Sequence, residues 1–171
     1  MSQTSENATS TVEIATARSL IHSHPGIMNG APVFTGTQVP LMALFDSLAH
    51  DKALREFHEN FPTVSSEQAA RAVHMARSLL EAYAYGDAIQ LDKLCAGGSV
   101  IHRDAGMVWG NPVFKGTRMT MRTFFDHLAG GYSITEFLAD FDTAVTHEQA
   151  IQAIQMAEQA LENYAYATAS R

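Results

Sequence analysis

The chain has 171 residues, 46% hydrophobic and 17% charged, with a formal charge of −7 and a single cysteine. That is a globular composition: no apolar run approaches the roughly 18 residues a membrane span needs, and a lone Cys95 excludes an internal disulfide framework and suits a reducing cytoplasm. The acidic excess is divided between both halves and argues against a strong autonomous grip on nucleic acid, because each neutralised phosphate needs a Lys or Arg.

Met1 to Ser10 are polar and rich in Ser and Thr, with neither a basic start nor an apolar stretch, so residues 1–18 read as a loose tail and not as a signal peptide. The short apolar run Ser19-Leu20-Ile21-His22, a Gly-containing bend and Pro32-Val33-Phe34 then predict two strands of a hairpin, ended by Gly36-Thr37. Leu41, Leu44, Phe45 and Leu48 recur at helical spacing. The following turn, Ala49 to Ala53, has neither Gly nor a capping box, leaves Asp51 as its cap, and is expected to be distorted. Leu54, Phe57 and Phe61 mark a second helix. Ala69, Ala72, Val73, Ala76, Leu80 and Tyr83 mark a longer third, opened by the Ser65/Gln68 capping box and stopped by Gly86. Residues 87–98 read as a linker.

The whole plan then returns. Ile21-His22 recurs 80 residues later as Ile101-His102, and Pro32-Val33-Phe34-Thr35-Gly36-Thr37 as Pro112-Val113-Phe114-Lys115-Gly116-Thr117. Helical faces follow at Met121, Phe124, Phe125 and Leu128, then at Ile134, Phe137, Leu138 and Phe141, then from Ala150 to Tyr164. Here the first turn does carry Gly130-Gly131 and a Ser133/Glu136 capping box, and Thr146/Gln149 opens the third helix. Repetition over this length is the signature of a tandem duplication, with unit 1 at residues 19–86 and unit 2 at residues 99–167. Units of roughly 65 residues bury little apolar surface alone and are expected to pack on each other as a pseudo-dimer.

A hairpin followed by three helices, two of them joined by a tight turn, is the plan of a mainly α (α+β) winged-helix-like, helix-turn-helix unit. Gly110 to Arg118, then Phe124 to Ser133, then Glu136 to Phe141, resemble the bacterial domain of unknown function number four-three-three, a family grouped with antitoxins of VapB type. The resemblance covers most of both units. It implies a winged-helix-like fold, a dimeric arrangement and, for some members, inhibition of a toxin ribonuclease with repression of their own operon. Gln38 stands where the pattern has Arg, Thr120 where unit 1 keeps Pro40, and Asp142 where it keeps Pro62.

The two copies have split their positive charge. Arg103, Lys115, Arg118 and Arg122 surround the second hairpin and the helix after it, where unit 1 has Ser23, Thr35, Gln38 and Met42. Arg71, His74 and Arg77 lie on the third helix of unit 1, where unit 2 has Gln152, Gln155 and Glu158. Together they are candidates for an anion-binding or partner-binding surface; ordinary solvated side chains explain them equally well. Trp109, opposite Asn29 and beside Gly110 in a predicted bend, is the best single candidate for an exposed contact residue, with local packing the alternative. His22 and His24, and His102 with Asp104, have an alternating spacing that could ligate a metal, but two ligands per unit are too few to assign one. No nucleophile elbow, phosphate loop or zinc motif is present, and no cofactor is expected.

The expectation is a non-enzymatic, cytoplasmic, antitoxin-like regulator. It would bind a protein partner, such as a toxin, through its acidic surface, and operator DNA weakly at most around Arg118. The alternative is a protein-interaction or scaffold module of the same fold without DNA binding. A hydrolase using His102, Asp104 and Asp126 ranks third.

Overall fold

Each unit begins with a minimal antiparallel hairpin whose apolar residues seed the core. In the computed structural model, which describes residues 20–86, 91–94 and 98–169, β1 (Ile21–His22) pairs with β2 (Val33–Phe34), Ile21 opposite Phe34. In unit 2, β3 (Ile101–His102) pairs with β4 (Val113–Phe114) in the same register. The tail at residues 1–18, Cys95 and most of the 87–98 linker fall outside the described residues.

Three helices follow each hairpin: α1 (Leu41–Ala49), α2 (Leu54–Asn60) and α3 (Ser66–Gly86), then α4 (Met121–Ala129), α5 (Ile134–Asp140) and α6 (His147–Ala169). The helical faces read from the sequence are the buried ones: Leu41, Leu44, Phe45 and Leu48 on α1, and Met121, Phe124, Phe125 and Leu128 on α4. The capping boxes form as the spacing requires. Gln68 N donates to Ser65 Oγ at 3.1 Å while Ser65 N donates back to Gln68 Oε1 at 3.0 Å, and Thr146/Gln149 repeats the exchange. Each capping glutamine also ties its long helix to the hairpin, Gln68 to Thr35 O and Gln149 to Lys115 O.

The units share one core. Phe34, Phe45 and Leu80 belong to the same buried cluster as Phe114, Phe125 and Leu161, joined by Leu91 and Leu94 from the connecting segment. Removing such a large side chain from water contributes roughly 1.5–3 kcal/mol, so the shared cluster is a strong reason for the copies to stay together. The packing is pseudo-twofold: α3 lies on α4 as α6 lies on α1, and α3 crosses α6. This is the isologous pattern of a C2 dimer within one chain.

The turn expected to be distorted keeps its shape. Asp51 adopts φ 61° where its counterpart Gly131 has φ 97°, so a residue with a side chain holds a conformation that glycine takes without steric cost. Asp51 does not cap α2, whose N-cap Ala53 makes no side-chain hydrogen bond; its carboxylate instead accepts from the backbone N of Thr135 at 2.8 Å and from the Thr135 hydroxyl, at the start of α5 in the other unit.

Candidate interaction site

The two helix-turn-helix corners face each other across the pseudo-twofold axis. Arg55 and Thr135 occupy equivalent positions, as do Asp51 and Gly131. Arg55 donates to Gly131 O at 3.0 Å and to Glu136 Oε1 at 3.1 Å, while Thr135 donates to Asp51. In a helix-turn-helix reader the first turn of the second helix presents its side chains to base edges. Here the first turns of α2 and α5 are tied to one another.

The charged residues of the sequence reading separate into distinct roles. Arg77, with 14% of its side chain exposed, donates to Asp126 Oδ1 at 3.3 Å across the α3/α4 seam, and His74 Nδ1 lies 3.4 Å from the same oxygen. Burial raises the pKa of nearby Glu81, opposed by Arg77 and Arg122 and reinforced by Asp126. In the equivalent α1/α6 seam every cation is gone: Glu158 replaces Arg77, Gln155 replaces His74, and Met42 replaces Arg122. Glu158 is half-buried, and desolvation, then Asp46, then Glu162 push its pKa up to about 7. Arg71 is exposed and pairs with Glu67 at 2.8 Å one helical turn away. Lys115 and Arg118 are exposed near the second hairpin. The structure thus divides the basic residues between an internal seam and a small exposed set, and does not gather them into one face.

The loop between the strands of each hairpin contains a left-handed turn. Met28, Asn29 and Gly30 have φ of 48°, 57° and 88°, and Val108, Trp109 and Gly110 have 47°, 59° and 74°. For a β-branched residue such as Val108 this is a strained conformation, held only where the surroundings over-determine it. In unit 2 they do: Arg103 Nε donates to Gly110 O at 2.8 Å, and Asn111 Nδ2 to Val108 O at 2.9 Å. The Arg103 guanidinium lies 4.5 Å over the ring of Tyr85 at the end of α3, whose hydroxyl donates to Asn111 Oδ1 at 3.1 Å. The clamp presents Trp109 to solvent, 98% exposed. In unit 1, Ser23 Oγ donates to Gly30 O at 2.6 Å, and Asn29 stands in place of the tryptophan.

Two of the candidate metal ligands, His24 and Asp104, have local work. His24 Nδ1 accepts from Gly26 N at 3.1 Å and Asp104 Oδ1 from Gly106 N at 2.8 Å, side-chain-to-backbone bonds that shape the start of the same loop. Among the described residues no group of three or more His, Cys, Asp or Glu forms a ligand set. Sequence reasoning missed Tyr85, Arg55 and Asp51 as partners of the other copy. Only Asp51 had a signal, a non-glycine facing Gly131 across the repeat.

No helix among the described residues is long and apolar enough to cross a membrane. No curated protein and no solved structure matches the chain. The family model "Protein of unknown function (DUF433)" matches twice, at residues 21–76 and 101–157, each match running from the first strand into the long helix. With its two hairpin-and-three-helix units, the chain belongs to the DUF433 family as a tandem pair of domains.

Proposed function

We propose that the chain is a non-enzymatic, antitoxin-like regulatory protein that binds a protein partner, with the Trp109 loop as its principal contact. The observation that carries this reading is Trp109 itself, a large aromatic left almost wholly in water on a backbone turn locked by Arg103, Asn111 and Tyr85. Exposed aromatics beside arginine are the composition of binding hot spots, and a pre-ordered loop loses little entropy on docking. The acidic surface favours a basic partner. The mutual engagement of Arg55 and Thr135 with the opposite corner argues against groove reading by α2 or α5, leaving Lys115 and Arg118 as the residues for a weak phosphate contact.

Titration of the full chain with the product of the adjacent reading frame, and separately with its own upstream duplex at two salt concentrations, tests the proposal. The expected result is a protein complex that Trp109→Ala weakens about thirtyfold, the ~2 kcal/mol of a hot-spot aromatic, and DNA binding confined to low salt and lost in Lys115→Ala/Arg118→Ala. Tight duplex binding with no protein complex would overturn it.

A further inference from the structure

The second unit fills a space that the first leaves open. His127 on α4 stacks on Tyr132 with ring centroids 4.2 Å apart, and meets Phe137 at 5.6 Å and Phe141 at 5.4 Å edge to face. Its Nε2, buried and without a well-formed hydrogen bond, lies 3.4 Å from Asp140 Oδ2. The repeat counterparts of His127, Tyr132, Asp140 and Phe141 are Ser47, Lys52, Asn60 and Phe61. Both rings are therefore missing from unit 1, and all four counterparts line an open cavity of about 520 Å³, together with Ala43, Asp46 and His50. That volume lies within the range of small-molecule sites.

The polar groups around the cavity are partly committed in ways that define what is left over. Asn60 Nδ2 donates to Glu56 O at 3.0 Å, leaving Oδ1 as an acceptor where Asp140 stands in unit 2. His50 Nδ1 donates to Asp46 O at 2.7 Å, so in the neutral ring Nε2 is an acceptor. The carboxylate of Asp46 has no cation across its seam, whereas that of Asp126 has Arg77 and His74. Phe61 supplies an aromatic wall, packed on Phe57 at 4.9 Å. Asn60 Oδ1, His50 Nε2 and the Asp46 carboxylate thus offer acceptors around an aromatic-sided slot, with the Lys52 ammonium as the cation on its wall.

We propose that this cavity between α1 and α2 is a binding site for a planar polar ring bearing N–H or O–H donors, the chemistry that His127 and Tyr132 supply from within the chain in unit 2. The ring meets Phe61 and donates to Asn60 Oδ1 and the Asp46 carboxylate. It arrives as a free heteroaromatic molecule or as a histidine side chain of another polypeptide. The site is separate from the Trp109 loop and stands independently of the function proposed for it.

The test is a titration of the 15N-labelled full chain, at fixed pH, with imidazole, with capped histidine amide and with benzene, followed by amide chemical shifts. Saturable shifts at Ala43, Ser47, His50 and Asn60 are expected with imidazole or capped histidine in the millimolar range, and weaker or none with benzene. Tighter binding of capped histidine assigns a polypeptide source, and tighter binding of imidazole a free ligand. The variant Ser47→His/Lys52→Tyr, which installs the residues that unit 2 already folds around, should abolish the shifts, and Asn60→Ala should weaken binding severalfold. Shifts that never saturate, that persist in the filled variant, or that benzene reproduces with equal affinity would overturn the proposal.

Discussion

Arg77 donates to Asp126 at 3.3 Å across one seam between the copies, and Glu158, which occupies the same place in the repeat, faces Asp46 across the other. One pair attracts and the other repels within a single pseudo-symmetric framework. The counterparts of the Arg77 and His74 that face Asp126 are Glu158 and Gln155, so neither supplies Asp46 with a cation across its seam.

The repelling seam makes stability depend on pH. Glu158 has an ordinary value of 4.5 and a folded value of about 7, raised by burial, then Asp46 and Glu162. Below pH 4.5 it is protonated in both states and costs nothing. Between these values the folded chain holds a proton the unfolded chain has released, so stability falls as pH rises, and above pH 7 the penalty is complete. Discounted for solvent screening at this half-buried position, the penalty is about 1 kcal/mol. Glu158→Gln should raise the urea midpoint at pH 8 and leave it unchanged at pH 4. An equal difference at both pH values would contradict this origin.

The attracting seam should show modest coupling. A double-mutant cycle on Arg77→Ala and Asp126→Ala is expected to give ~0.5–1 kcal/mol, because Asp126 is half-exposed and screened. No coupling would mean that the pair is incidental to the packing of α3 on α4.

Asp51 combines strain with a bond to the other unit. Burial raises its pKa, but the Thr135 hydroxyl and amide outweigh that, and the net shift is downward from 3.8. Its contribution is therefore complete above pH 3.8 and lost as pH falls through the depressed folded value. Asp51→Ala keeps a Cβ in the left-handed region and loses both bonds, for a cost of about 2 kcal/mol; Asp51→Gly loses the bonds and relieves the strain, for about 1 kcal/mol. Thermal unfolding that ranks the glycine variant below the alanine variant would contradict the reading of φ 61° as strained.

Much of the fold was legible because the repeat supplies two independent samples of each element. The spacing of Leu41, Leu44, Phe45 and Leu48 is echoed by Met121, Phe124, Phe125 and Leu128, and the capping pairs Ser65/Gln68 and Thr146/Gln149 fix the starts of both long helices. What eluded the sequence is what forms between copies. Nothing local to Asp51 announces that its carboxylate serves α5, and nothing near Arg77 points to Asp126, since both contacts depend on how the units dock. The left-handed turn was hidden for a different reason: Val108 is a residue type that ordinarily avoids positive φ, and it is held there by Asn111 and its neighbours. The exposed position of Trp109 follows from that turn.

Trp109, proposed as the contact through which a protein partner is held, is the only tryptophan in the sequence. Its emission therefore reports the contact directly. Free, it should be red-shifted and freely quenched by iodide; on titration with the adjacent gene's product, made in a tryptophan-free form, it should shift to the blue and lose access to iodide as the complex saturates. A complex that saturates while Trp109 emission and quenching stay those of the free chain would contradict the claim.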